Sequence, residues 1–337
     1  MPRPILLGIC GDSATGKTTL TRGLVRILGE AQVTHIDGDH YHRYTRTQRA
    51  ELGVTPLHPD ANHVDILEQH LVHLRAGEPI LKPVYRHRDG ALAPAEHITP
   101  AQFTIVEGML GFHTPAMRDT YDVRIFLDPP EDLRRRWKVQ RDCSRRGYTT
   151  DEVLAELDRR EADAETFIRP QRRYADIVIS FMPGDRGDPE HLDAKLAMRP
   201  GLAHPDLPAL TGGDSAIRMA QRGSETQLWI PGTIDPERSA AFEEGVWDRL
   251  HFATHLRTDR LGEFTVGTEL HRSEPLAVTQ LLVLYQLVTA RAAVALGANG
   301  ARADQDAGSG RAVRAPRHVG GEQVAEQLLD NRPRRPH

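Results

Sequence analysis

The feature that most constrains this chain is the octapeptide Gly11-Asp12-Ser13-Ala14-Thr15-Gly16-Lys17-Thr18, which satisfies the spacing G-x-x-x-x-G-K-[ST]. The apolar run Ile5-Leu6-Leu7-Gly8-Ile9-Cys10 precedes it and reads as a buried strand. After it, Leu20, Leu24, Ile27 and Leu28 recur with the spacing of an amphipathic helix. Strand, glycine loop and helix in that order turn a string match into a phosphate site. The loop amides and the helix N-terminus cradle anionic oxygens. Lys17 reaches the β- and γ-phosphates, and the Thr18 hydroxyl ligates Mg²⁺. Gly11, Asp12, Ser13, Ala14, Thr15, Gly16, Lys17, Thr18 and Thr19 are therefore the expected contacts of ATP.

Bulk properties exclude several classes. The 337 residues carry 43 Lys and Arg against 47 Asp and Glu, a net charge of −4, so no general nucleic-acid binder is expected. Cys10 and Cys143 cannot build a disulfide framework and lie in no metal-ligand spacing, which fits a reducing cytoplasm. The N-terminus lacks the charged and apolar regions of a secretory signal. The longest apolar stretch, Leu276–Leu287, reads as too short and interrupted to span a bilayer. A soluble cytoplasmic protein is expected.

Up to residue 181 strand-like runs alternate with helical patterns: Ile5–Cys10, Val33–Asp37, Phe103–Glu107, Val123–Leu127 and Ile177–Phe181 are the expected strands. Such alternation predicts an α/β fold, a P-loop nucleotide-binding domain with a mostly parallel sheet flanked by helices. Residues 182–297 are broken by Pro and Gly. Thr226–Pro231 and Gly262–Thr268 are expected in a small antiparallel extension, closed by a helix carrying Leu276, Leu281, Leu282, Leu284, Leu287 and Val288. Residues 298–337, rich in Gly, Arg, Asp and Pro, read as a disordered tail.

Within residues 1–181 two regions carry chemistry, the acceptor segment at 37–90 and a basic lid at 132–160. Asp37-Gly38-Asp39-His40-Tyr41-His42-Arg43-Tyr44-Thr45-Arg46 follows the second strand, where open α/β sheets bind ligands. Asp39 is the expected general base for an attacking hydroxyl. His42 and Arg46 offer a hydrogen-bond donor and a fixed charge to a phosphorylated sugar. Tyr85, Arg86 and His87 extend the acceptor pocket or form a plain hairpin with the turn Asp89-Gly90. Glu107 ends a buried strand and serves the metal or its water shell, or caps the next helix. On the helix Asp132–Arg146, Arg134, Lys138, Arg141 and Arg145 share one face, a cationic lid for phosphoryl transfer.

Several blocks, in order, resemble the phosphoribulokinase/uridine kinase family, and more closely its phosphoribulokinases of the plant and cyanobacterial type. They are Asp39-His40-Tyr41-His42 with Arg46-Thr47 and Gly53-Val54-Thr55; Leu57-His58-Pro59-Asp60-Ala61-Asn62; and Lys82-Pro83-Val84-Tyr85-Arg86-His87. The later ones are Trp137-Lys138-Val139-Gln140-Arg141-Asp142 with Arg146-Gly147-Tyr148, Ile168-Arg169-Pro170-Gln171, Tyr174-Ala175-Asp176 and Leu228-Trp229-Ile230-Pro231. The resemblance implies transfer of the ATP γ-phosphoryl group to O1 of ribulose 5-phosphate. It implies that Asp39 is the base and that Lys138, Arg141, Asp142 and Arg146 support transfer; Lys17 of the loop joins them as a catalytic group, and Arg146 is also an expected nucleotide contact. Further, it implies that His42, Arg46 and His87 hold the sugar phosphate, beside which Tyr85 is the further expected substrate contact, that Glu107 joins Thr18 at Mg²⁺, and that the protein is a homodimer or larger homo-oligomer. Thr15 and Asp37 stand where light-regulated members carry cysteines, so no disulfide switch is expected. Glu107-Gly108-Met109-Leu110 departs toward the uridine kinases at Leu110, which keeps a nucleoside kinase as the alternative.

Overall fold

In the computed structural model, residues 2–184, 191–212, 216–250 and 256–298 are described, without the side chain of Arg145. The tail expected at 298–337 lies, but for Ala298, outside the described residues. In chain order the elements are β1 (Ile5–Cys10), α1 (Lys17–Leu28), β2 (Val33–Asp37), α2 (Arg46–Leu52), α3 (Val64–Ala76), β3 (Ile80–Arg86) and β4 (Ala91–Ile98). Then come β5 (Phe103–Gly108), α4 (Pro115–Thr120), β6 (Val123–Leu127), α5 (Glu131–Arg146), α6 (Thr150–Asp163), β7 (Ile177–Pro183) and β8 (Leu192–Met198). The chain continues through α7 (Leu207–Thr211), β9 (Arg218–Arg222), β10 (Glu225–Ile230), α8 (Pro236–Trp247), β11 (Glu263–Val266), β12 (Glu269–Arg272) and α9 (Glu274–Ala295).

Eight strands form one sheet in the order β2-β5-β1-β6-β7-β8-β10-β9. The first five are parallel, and the five strands expected from the alternation are these five, to within two residues. Strands β8, β10 and β9 then continue the same sheet in antiparallel sense. The division expected at 181/182 thus falls inside one sheet. Among the described residues of that part, the β11–β12 hairpin pairs separately, and its first strand, Glu263–Val266, falls within the strand expected at Gly262–Thr268.

Alternation along the strands builds two cores. Ile5, Leu7, Ile9, Ile105, Ile125 and Ile179 face α1, α8 and α9, whereas Leu6, Ile36, Val106, Phe126 and Val178 face α3 and α4. Helix α9 corrects one expectation. Its 22 residues make it long and apolar enough to cross a membrane by length and composition. In this fold it is a core helix, with Leu276, Leu281, Leu284 and Leu287 buried against the sheet strands. Its apolar residues run all round because it is covered on most sides.

Candidate active site

The phosphate loop joins β1 to α1. Gly16 sits at φ +97°, a left-handed conformation that L side chains rarely adopt, and no side chain caps α1. The first amides of the helix are therefore left to a ligand. Lys17 Nζ donates to the carbonyls of Gly11 at 2.9 Å and Asp12 at 2.7 Å, folding across the loop. Thr18 and Thr19 are exposed, and Thr15 is buried with its hydroxyl donating to the Asp12 carbonyl. The Asp12 carboxylate is turned inward, accepting from the Ser13 amide at 2.5 Å, so only its backbone is available to phosphate.

A close approach of two glycines assembles the acid side. A Cβ on Gly38 would lie 3.1 Å from the Glu107 carbonyl oxygen, and one on Gly108 would lie 3.3 Å from the Gly38 Cα. Without side chains there, the ends of β2 and β5 draw together, with Asp37 in register opposite Glu107. Asp37 Oδ1 accepts the Asp39 amide at 2.8 Å, which starts the 3₁₀ turn Gly38–Tyr41. Burial, then Asp39 and Glu107, push the Asp37 carboxyl up to about 7. Asp39 moves the other way. Burial opposes ionisation, but Lys17, His42, His87 and Arg141 together hold it below the usual carboxylate range. Glu107 is buried and points toward α1. Its Oε2 accepts from Thr21, one turn beyond Thr18, and its Oε1 bonds His35 at 2.9 Å. Glu107 thus lies against the first turns of α1, the helix that begins Lys17-Thr18, and a carboxylate and a hydroxyl are the oxygen donors that suit Mg²⁺.

The acceptor corner is built by the 3₁₀ turn, α2 and the β3–β4 hairpin. His42 is buried, and burial lowers its pKa to about 4. Asn62 gives its amide hydrogens to the carbonyls of Pro56 and His58, so its Oδ1 accepts from His42 Nδ1 at 2.7 Å. His42 therefore presents Nε2 as an acceptor, not the donor expected from sequence. Tyr85 is 2% exposed, and its hydroxyl takes the Arg49 guanidinium at 2.7 Å. Its ring meets His42 and His87 edge-on, with ring centroids 4.7 and 5.1 Å apart. Arg46 is exposed and donates to the His87 carbonyl at 2.6 Å. Burial lowers the His87 pKa, Asp39 opposes this, and three guanidinium groups, Arg146, Arg49 and Arg46, add to the lowering. One ligand atom from each of Asp37, His40 and His87 lies within 4.8 Å of the others. Lys82 Nζ already lies 2.6 Å from His40 Nδ1, so an ammonium group occupies the approach to that cluster.

The lid is the helix pair α5 and α6. Arg134 is buried, donating to the Ser13 carbonyl at 3.1 Å and pairing with Asp12 at 3.3 Å, which ties α5 to the phosphate loop. Arg141 reaches the Ser13 hydroxyl at 3.3 Å. Asp142 is the hub: Lys138 pairs with its Oδ2, while Arg141 at 2.9 Å and Arg146 at 3.6 Å pair with Oδ1. Burial pushes the Lys138 ammonium down to about 8 against the opposing pull of Asp142. Arg146 pairs with Asp142 and its charge is felt at His87. At the other end of the lid, the Thr55 hydroxyl donates to Asp163 at 2.6 Å.

Beside Asp39 opens a shallow cleft lined by Asn62, Val64, Leu67, Met109 and Leu110. Leu110 also packs with Leu57, Ala164 and Ile168 at the foot of the lid. Sequence reasoning missed His35, Arg49 and Arg160. Arg49 follows Arg46 by one helical turn, a spacing that could have exposed it. Arg160 on α6 is lowered to about 10 by burial and then by Arg49, with Asp12 and Asp142 opposing. It therefore lies in the field of both halves of the site, a placement only the folded lid reveals.

The model of the phosphoribulokinase/uridine kinase family matches residues 6–186. A phosphoribulokinase of Synechocystis sp. is 37% identical over 183 residues, 54% of this chain and 55% of the relative, so that match spans about half of the relative's length. A chloroplastic phosphoribulokinase of Triticum aestivum is 34% identical over 310 residues, 81% of this chain and 77% of the relative. Among solved structures, the phosphoribulokinase from Rhodobacter spheroides aligns with a TM-score of 0.53 at 20% identity, covering 73% of this chain and 97% of that one, a likeness of fold.

Proposed function

The chain belongs to the phosphoribulokinase/uridine kinase family, and from that premise we propose that it transfers the γ-phosphoryl group of ATP to O1 of ribulose 5-phosphate, yielding ribulose 1,5-bisphosphate and ADP. The observation that carries the acceptor is the convergence of Arg46, Arg49 and Arg146 around His87, close to an ionised Asp39. A dianionic phosphate matches such a cationic corner, whereas a neutral nucleoside offers it no charge.

Asp39 accepts the proton of the attacking hydroxyl as its oxygen bonds to the γ-phosphorus and the bond to ADP breaks. Its depressed proton affinity keeps it in the basic form at neutral pH. His42 Nε2 accepts from a sugar hydroxyl and so orients the acceptor. Lys17, Lys138 and Arg141 neutralise charge on the transferring group, and Asp142 keeps the last two in place. Thr18 and Glu107 would hold Mg²⁺, which when bound with ATP neutralises the β- and γ-phosphates. Helices α5 and α6, seated on the loop through Arg134, exclude the water that would otherwise take the phosphoryl group. The reading includes catalysis in the cytoplasm, consistent with the free thiols Cys10 and Cys143, and assembly as a homo-oligomer.

Asp39→Asn tests the assigned base. Turnover is expected to fall by about 10²–10⁴-fold, with ATP affinity retained in a direct binding measurement. Unchanged turnover would remove Asp39 from the role.

A further inference from the structure

The block Ile168-Arg169-Pro170-Gln171 has so far no part in the chemistry, yet the side chain of Gln171 is 3% exposed and sits among three site-bearing elements. Its Oε1 accepts from the Phe112 amide at 2.8 Å and from the Cys10 thiol at 3.5 Å. Its Nε2 donates to the carbonyls of Met109 at 2.7 Å and Phe167 at 2.8 Å. All four hydrogen-bonding positions of the amide are used, and the partners fix which end is oxygen. Cys10 directly precedes the phosphate loop. Met109 and Phe112 bracket the loop after β5 that lines the cleft at Asp39. Phe167 lies in the π-turn Ala164–Ile168 that ends the lid, a kind of irregularity often found at functional sites.

We propose that Gln171 is a positioning residue for acceptor binding: its buried amide holds loop 109–112 against the foot of the lid and so sets the wall of the cleft beside Asp39. Losing this amide leaves the Phe112 N–H and the Met109 carbonyl without that partner in an enclosed place, and the loop must move to find others. The nucleotide side keeps its own supports, since the Lys17 and Arg134 contacts to the phosphate loop do not pass through Gln171. The inference rests on the acceptor reading above, because it concerns the same cleft.

The experiment compares wild type with Gln171→Leu and Gln171→Glu in steady-state kinetics with ATP and ribulose 5-phosphate. In Gln171→Leu the acceptor KM is expected to rise about tenfold or more while the ATP KM stays within about twofold. In Gln171→Glu, the ionised side chain would turn a carboxylate oxygen toward two carbonyls, whereas the protonated acid can donate to one of them. Gln171→Glu should therefore bind acceptor best at low pH and lose it as the pH rises through neutrality, a dependence wild type lacks. Hydrogen exchange gives a readout free of turnover: the amides of 109–112 exchange faster in either variant, with the α1 amides unchanged. Equal changes in both KM values, or a lower kcat alone, would assign Gln171 to general stability and overturn the proposal. If the leucine variant does not fold, the glutamate variant decides, and a pH profile parallel to wild type overturns the proposal. Absence of turnover in the wild type would instead refute the acceptor reading and leave the exchange result to judge Gln171.

Discussion

Asp37 and Asp39 lie two positions apart and end with opposite proton affinities, because their neighbours differ. Asp37 meets Glu107 across the strand pair, and Asp39 meets Lys17 and Arg141. The crowding of Asp37 has a thermodynamic consequence. Its carboxyl titrates near 3.8 when unperturbed and at about 7 in the fold. Between these values the folded chain holds a proton that the unfolded chain has released, so stability falls as pH rises through that window. Asp37→Asn keeps an oxygen for the Asp39 amide and cannot ionise. Its Tm should match wild type near the bottom of the window and rise above it as the pH approaches the top, as calorimetry across pH would show. A gain that shrinks with rising pH would contradict the crowding. Position and strand end make Asp39, His42 and Glu107 readable in the sequence. The proton on Asp37 is not, since it depends on which residue of β5 lies opposite, and register is a property of the assembled sheet.

The lid shows what periodicity conveys and what it leaves out. Helical spacing identifies α5 and places Arg134, Lys138 and Arg141 on one face. Much of that positive charge is met inside the protein, by Asp12 at one end and Asp142 at the other. The face is thus a charge-balanced strut with a cationic tip, and Asp142 keeps Lys138 protonated against its burial. Asp142→Asn removes the opposing charge, so the Lys138 ammonium should lose its proton at lower pH than the present value of about 8. If Lys138 must be charged for transfer, the alkaline limb of the kcat/KM profile moves to lower pH in this variant. A limb that does not move would separate Lys138 from the chemistry. The turn joining α6 to the core is not legible in the sequence. A π-turn and a 3₁₀ turn in succession over Ala164–Tyr174 carry no sequence period, and Gln171 matters only for what three distant segments bring to it.

Across the whole molecule, the five parallel strands are readable because each is a short apolar run, and the central ones are buried on both faces. Strands β8, β10 and β9 join the same sheet by antiparallel pairing, and no local pattern says which sheet a strand will join. Helix α9 looks interrupted in the sequence because Thr279, Gln280 and Gln286 punctuate its apolar residues, yet all three are buried with it. The departure at Leu110 also takes its meaning from the fold. Leu110 packs on Leu57, Ala164 and Ile168, so an apolar residue there seats the foot of the lid while it lines the cleft. The cationic acceptor corner and this apolar cleft flank the same carboxylate, and the substrate that turns over shows which of them rules. The decisive measurement is ADP release from Mg·ATP with ribulose 5-phosphate and uridine offered separately. The arginine corner predicts turnover with the sugar phosphate and none with uridine. Turnover with uridine alone would contradict the account and give the acceptor to the cleft at Leu110.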